Sequence, residues 1–181
     1  MCDTGTLRPH NCSRMEVNDR RPNPWLAILR AGLVAGVLDI TAAIVVYAHV
    51  THAVPLLQGI ASGILGRDAF TGGLATAALG LLCHFSIATS AAAVYYVASR
   101  RLPFLLQHAL ISGAAYGIAV YFFMQVVVLP LSAIGPRPPT LHEALVGVAI
   151  QIPCIGLAIA LTLRRYAPPS PLAHDSPARA A

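Results

Sequence analysis

Four long apolar runs alternate with short polar breaks along this chain. They cover about residues 26–50, 72–98, 108–131 and 141–163, and the first reads AGLVAGVLDITAAIVVYAHV through its middle. Each reaches the roughly 20 residues that an α-helix needs to cross the hydrocarbon core of a bilayer. A fifth stretch at 54–66, VPLLQGIASGILG, has only 13 residues. It is too short to span and predicts an interfacial or re-entrant helix. The expected fold is therefore all-α: a four-helix transmembrane bundle with a short extra helix between spans one and two. Arg100, Arg101 and Pro103 predict a tight turn, and SAIGPRPPT at 132–140 predicts a rigid loop after Pro130. Residues 1–24 and 167–181 are rich in Arg, Pro, Ser, Asn and Ala, and predict disordered tails.

Composition sharpens this picture. Apolar residues make up 56% of the 181 residues and charged ones 10%. A soluble domain carries about 25% charged residues, so most of this chain is not built to face water. The net charge is +5 and every basic residue is Arg. With the N-terminus inside, ten arginines fall on the cytoplasmic side (8, 14, 20, 21, 30, 100, 101, 164, 165, 179) and two outside (67, 137). That bias predicts that both termini are cytoplasmic. The same clusters should attract anionic lipid headgroups, and no nucleic-acid module accompanies them. The four cysteines form no CxxC pair or disulfide framework.

A weak internal repeat is visible. Gly32 and Gly36 form a GxxxG in span one, as Gly113 and Gly117 do in span three. Gly80 precedes His84 by four residues in span two, and Gly147 precedes Gln151 by four in span four. From Gly32 to Gly80 is 48 residues and from Gly113 to Gly147 is 34, a difference that the insert at 54–66 accounts for within a residue. Small residues let helices approach closely, so these faces should point inward or pair two copies as a homo-oligomer. Asp39, His84 and Gln151 lie on the same faces and form a candidate buried polar core. At 1.5 Å per residue, Asp39 lies about 14 Å from Arg30, Gln151 about 20 Å from Arg164 and His84 about 24 Å from Arg100. This estimate pairs His84 with Gln151 and leaves Asp39 to another partner such as Thr89 or Tyr95.

His49, His52, His142 and Glu143 form a second candidate set near the outer face. Imidazoles with a carboxylate suit a transition metal, and two facing rings, His49 and His142, suit a haem. Facing headgroups and water is the plainer role for all four. Gln125, Tyr116 and Tyr121 are expected to pack rather than bind. No Walker loop, GxGxxG, HExxH or GxSxG occurs, so neither an enzyme nor a resident cofactor is predicted.

The runs LLQGIASGILGRDAFTGGLATAALGLLCHF and YGIAVYFFMQVVVLPLSA resemble uncharacterised bacterial inner-membrane proteins with four predicted spans. The resemblance covers about residues 26–165; it implies a bacterial setting and brings no site. The sequence thus predicts a non-enzymatic structural or assembly partner. One alternative is a small oligomeric transporter or channel with Asp39 and His84 lining a polar path. Another is a metal- or haem-binding redox component using the outer histidines.

Overall fold

The computed structural model describes residues 23–49, 51–132, 135 and 138–167. The predicted tails lie outside these residues except at Asn23, Pro24 and Ala167. Within them the chain is all-helical, with no strand. Four helices are long and apolar enough to cross a bilayer: α1 Pro24–Tyr47, α3 Gly73–Arg101, α5 Ala109–Leu131 and α6 Leu141–Tyr166. They mark the chain as a multi-pass membrane protein. Their ends differ from the predicted runs by three residues or fewer. Two short α-helices, α2 Ala53–Leu65 and α4 Phe104–Gln107, and a 3-10 turn, Gly66–Phe70, lie between them.

Local chemistry sets the ends. Asn23 caps α1, its side-chain oxygen accepting the Trp25 amide at 3.0 Å, and Pro24 fills the first helical position, where no N–H is needed. Gly66, at φ +64°, closes α2, and Gly73, at φ +60°, opens α3. Thr140 and Glu143 start α6 with a reciprocal capping box. Inside α6, Pro153 has no N–H and would clash with the carbonyl of the preceding turn. The helix widens there into a π-helical stretch, Ile152–Leu157. A second π stretch, Met124–Val128, precedes Pro130 in α5.

The long helices pack antiparallel through glycine contacts, and the contacts repeat. A Cβ on Gly32 would lie 2.6 Å from Thr89 Cα, and one on Gly36 2.7 Å from Phe85 Cδ1. In the second pair, a Cβ on Gly113 would lie 3.0 Å from the Gly156 carbonyl oxygen, and one on Gly117 2.8 Å from Ile152 Cα. Measured from Gly80 and from Gly147, the facing positions are the fifth and ninth residues in both pairs. The α1–α3 and α5–α6 hairpins therefore share one register, and the repeat legible in the sequence is a repeat of packing. Both GxxxG faces are filled within the chain, so neither is free to pair with a second copy.

The hairpins join most closely at the end where the arginines lie. Ala27, Ala31, Ala35, Ala92, Tyr95, Ala109, Ile159 and Leu163 are buried together there. Arg30 stacks over the Tyr166 ring at 5.0 Å, and Arg100 lies 5.9 Å from the Tyr96 ring. The outward faces carry exposed large apolar side chains such as Leu33, Leu74, Ile111 and Leu131, a surface suited to hydrocarbon.

At the far end α2 folds back onto α3. Gln58, buried, donates from Nε2 to the Gly73 carbonyl at 3.0 Å and to Thr76 Oγ1 at 3.3 Å. Gly80 lies against the α2 backbone, where a Cβ would collide with the Leu57 carbonyl. Gly80→Ala is expected to push α2 off α3 and cost about 2 kcal/mol. Gly63→Ala, with nothing within 4 Å of the added carbon, is expected to change stability by less than about 0.5 kcal/mol. Thermal unfolding in a mild detergent compares the two.

Candidate functional site

With the arginine end closed, the far half opens. A cavity of about 790 Å³ lies there, walled by α1, α2, α3 and the π stretch of α5. Its volume falls in the range of small-molecule sites, roughly 300–1,000 Å³. The walls are largely apolar: Ile40, Ile60, Leu79, Ile87, Met124 and Val128 among them. Asp39 and His84 are its two strongly polar members, with Tyr47 and Cys83 beside them.

His84 is positioned by the α1–α3 hairpin. Its Nε2 lies 3.0 Å from the Gly36 carbonyl oxygen. A carbonyl can only accept, so Nε2 carries the hydrogen and Nδ1 is left to accept or hold a proton. Phe85 packs edge-on to the imidazole at 5.6 Å. Asp39 lies one turn beyond Gly36 and is an electrostatic neighbour of His84 and of Cys154 on α6. Among the described residues no side chain or amide hydrogen-bonds its carboxyl, which instead faces the cavity.

The predicted core is thus partly assembled. Asp39 and His84 share one cavity, but Gln151 does not line it. Gln151 belongs to the other hairpin, where it sits beside Gly117 as His84 sits beside Gly36. The predicted His84–Gln151 bond is replaced by His84 to Gly36, because the repeat sets equivalent positions on separate hairpins. Depth counted from Arg100 misled because α3 runs through 29 residues to Arg101, which carries its arginines farther from mid-helix than those of α1. Thr89 faces Gly32 instead of Asp39. Tyr95, the other suggested partner of Asp39, points to the closed end. Its hydroxyl lies 3.0 Å from the Leu105 carbonyl oxygen and 2.8 Å from Ser112 Oγ.

Tyr116 ties the hairpins, donating to the Ala91 carbonyl at 2.8 Å and packing edge-on against Tyr95. Tyr116→Phe is expected to cost about 1 kcal/mol or less, the scale of an interhelical hydrogen bond in a membrane, read as a lowered unfolding midpoint. Farther out, the buried Tyr121 has Gln125, Tyr47 and Glu143 as polar neighbours.

The outer histidine set is not gathered. His49 follows the end of α1, His52 precedes α2 and His142 is exposed on the first turn of α6. Glu143 is held by its capping box, accepting from the Thr140 amide at 2.8 Å and Oγ1 at 3.0 Å. Among the described residues no three His, Cys, Asp or Glu side chains converge as a metal site.

Sequence reasoning missed the cavity and the residues that shape it, above all Gln58, Met124 and Val128. The buried polar Gln58 in an apolar helix was the available signal. No protein-family model, no curated protein and no solved structure matches this chain.

Proposed function

We propose that this protein is a four-helix bundle spanning a bacterial inner membrane, with both ends in the cytoplasm, and that it is a small transporter whose binding site is the Asp39/His84 cavity. The arginines at the closed end support the orientation. One observation carries the function: the Asp39 carboxyl has no hydrogen-bond donor from the described protein and faces a cavity of ligand size. Polar residues that only glue helices are satisfied by the neighbouring helix, as Tyr116 is by Ala91. An ionisable group held within a span and turned to a cavity is instead the mark of a substrate or proton pathway.

A transporter fits better than a channel. The arginine half is filled by Ala92, Tyr95, Ile159 and Leu163, which close that end among the described residues. A carrier needs such a closed half. The filled GxxxG faces leave any pairing of copies to other surfaces.

The test is to purify the protein from its membrane and identify small molecules extracted from it by mass spectrometry. The reading expects a stoichiometric occupant in the native protein and its loss in Ile60→Trp, which fills the cavity from α2. If the native protein yields no occupant, or Ile60→Trp retains it, the cavity is not the site and a structural or assembly role is favoured.

A further inference from the structure

We infer that the substrate is a long-chain amphiphile with a protonated amine as its polar group, reaching the cavity sideways from the lipid between α3 and α5. This rests on the reading of the cavity as a binding site, and it names the ligand from the donors and acceptors the cavity presents.

Three of the six polar side chains lining the cavity are already engaged. His84 gives its Nε2 hydrogen to Gly36. Ser86 Oγ donates to the Leu82 carbonyl at 2.8 Å, and Ser132 Oγ to the Leu129 carbonyl at 2.8 Å. Asp39, Tyr47 and Cys83 are left without a hydrogen bond among the described residues, and Asp39 is the carboxylic acid among them. A donor on the ligand satisfies the ionised Asp39 carboxyl, and a carboxylate in apolar surroundings favours a cationic donor over a neutral one. Around it, His84 and Cys83 come from α3, Tyr47 from α1 and Cys154 from α6, while α2 and α5 bring no ionisable side chain to the cavity; the basic side chain among these is His84, whose Nε2 hydrogen goes to Gly36. An anionic headgroup would meet Asp39 with like charge.

The apolar part of the ligand has its own place. A second crevice of about 550 Å³ runs between α3 and α5 and shares Ser86, Ile87, Met124 and Val128 with the cavity. Its walls continue through Val94, Tyr116 and Phe123. Val94 and Phe123 are 60% and 55% exposed on the outer faces of their helices, so the crevice opens where hydrocarbon chains lie. Along α5 the stretch from Tyr116 to Val128 rises roughly 18 Å, comparable with one leaflet of the core at about 15 Å. An amine at Asp39 with its chain along this crevice satisfies both features.

The experiment uses the full chain in lipid nanodiscs and three photoreactive probes of one chain length: an alkylamine, the matching alcohol and the matching carboxylic acid. Labelled residues are mapped by mass spectrometry. The amine is expected to label residues 86–94 and 116–128 saturably, at a half-saturating concentration about tenfold or more below that of the alcohol. The acid is expected not to saturate. Asp39→Asn should bring the amine to the alcohol's level. The ranking of the three probes on the unaltered chain decides the matter even if that variant fails to fold. Equal labelling by amine and alcohol, or preference for the acid, overturns the amine while leaving the cavity a binding site. Saturable amine labelling confined to other surfaces overturns the entry route, and absence of any saturable labelling overturns the inference altogether.

Discussion

Gly156→Ala is expected to cost about 3 kcal/mol or more and to split α5 from α6. The added carbon would collide with the Gly113 carbonyl and lie 2.8 Å from the Gly117 amide nitrogen, and both are backbone atoms. Backbone cannot rotate aside as a side chain can, so the whole α5 helix must move. Overpacking typically costs about 1–3 kcal/mol, and rigid surroundings put this site at the upper end. The π stretch of α6 around Pro153 adds to the effect, since it is what brings Gly156 against α5. Gly113→Ala should be milder, because its new carbon meets Ala160 Cβ and the Gly156 oxygen at 3.0 Å, a contact a small shift relieves. Gly32→Ala, at the position equivalent to Gly113, should nevertheless rank beside Gly156→Ala, since its added carbon meets the Thr89 backbone, Cα at 2.6 Å. Unfolding in mixed detergent micelles, followed by helix content, gives the order. Equal midpoints for Gly156→Ala and the unaltered protein would mean that α5 and α6 do not meet backbone to backbone.

That ranking also bears on what the sequence could reveal. Hydropathy over 20-residue windows located the four long helices, because the bilayer requires length and apolarity whatever the partners. GxxxG pairs and their spacing revealed the repeat, since close approach demands a missing side chain at fixed intervals. The same small-residue logic placed Asp39 and His84 on inward faces. It did not say which helix each face meets. Gln151 was matched to His84 by depth, whereas the repeat assigns them to equivalent places on different hairpins, and depth along a helix carries no lateral information. The cavity was invisible for a related reason. It exists because α2 leans on α3 through Gln58 and because α5 widens near Pro130, and neither angle is written in a hydropathy pattern. The outer histidines were grouped only by nearness to one membrane face, a loose constraint, and in the structure they stand on separate elements.

Asp39→Leu is expected to stabilise the protein by up to about 2 kcal/mol while abolishing ligand binding. A carboxyl near the middle of a span costs about 2.5–3.5 kcal/mol on insertion scales unless the protein satisfies it. At Asp39 no described group hydrogen-bonds it, and the Nε2 hydrogen of the neighbouring His84 is committed to Gly36. Leucine branches at the same carbon, fills part of an apolar wall and removes that cost. His84→Leu should behave differently: it removes an interhelical bond and is expected to lose about 1 kcal/mol. Opposite signs at two residues of one cavity separate a binding group from a packing group. The measurement is the unfolding midpoint of each variant in the same detergent, with occupancy of the cavity read in parallel. A loss of more than about 1 kcal/mol for Asp39→Leu would make Asp39 part of the packing and remove the reason to seek its ligand. A gain, with occupancy lost, is the stability–function conflict expected where a site is kept polar for something other than the fold.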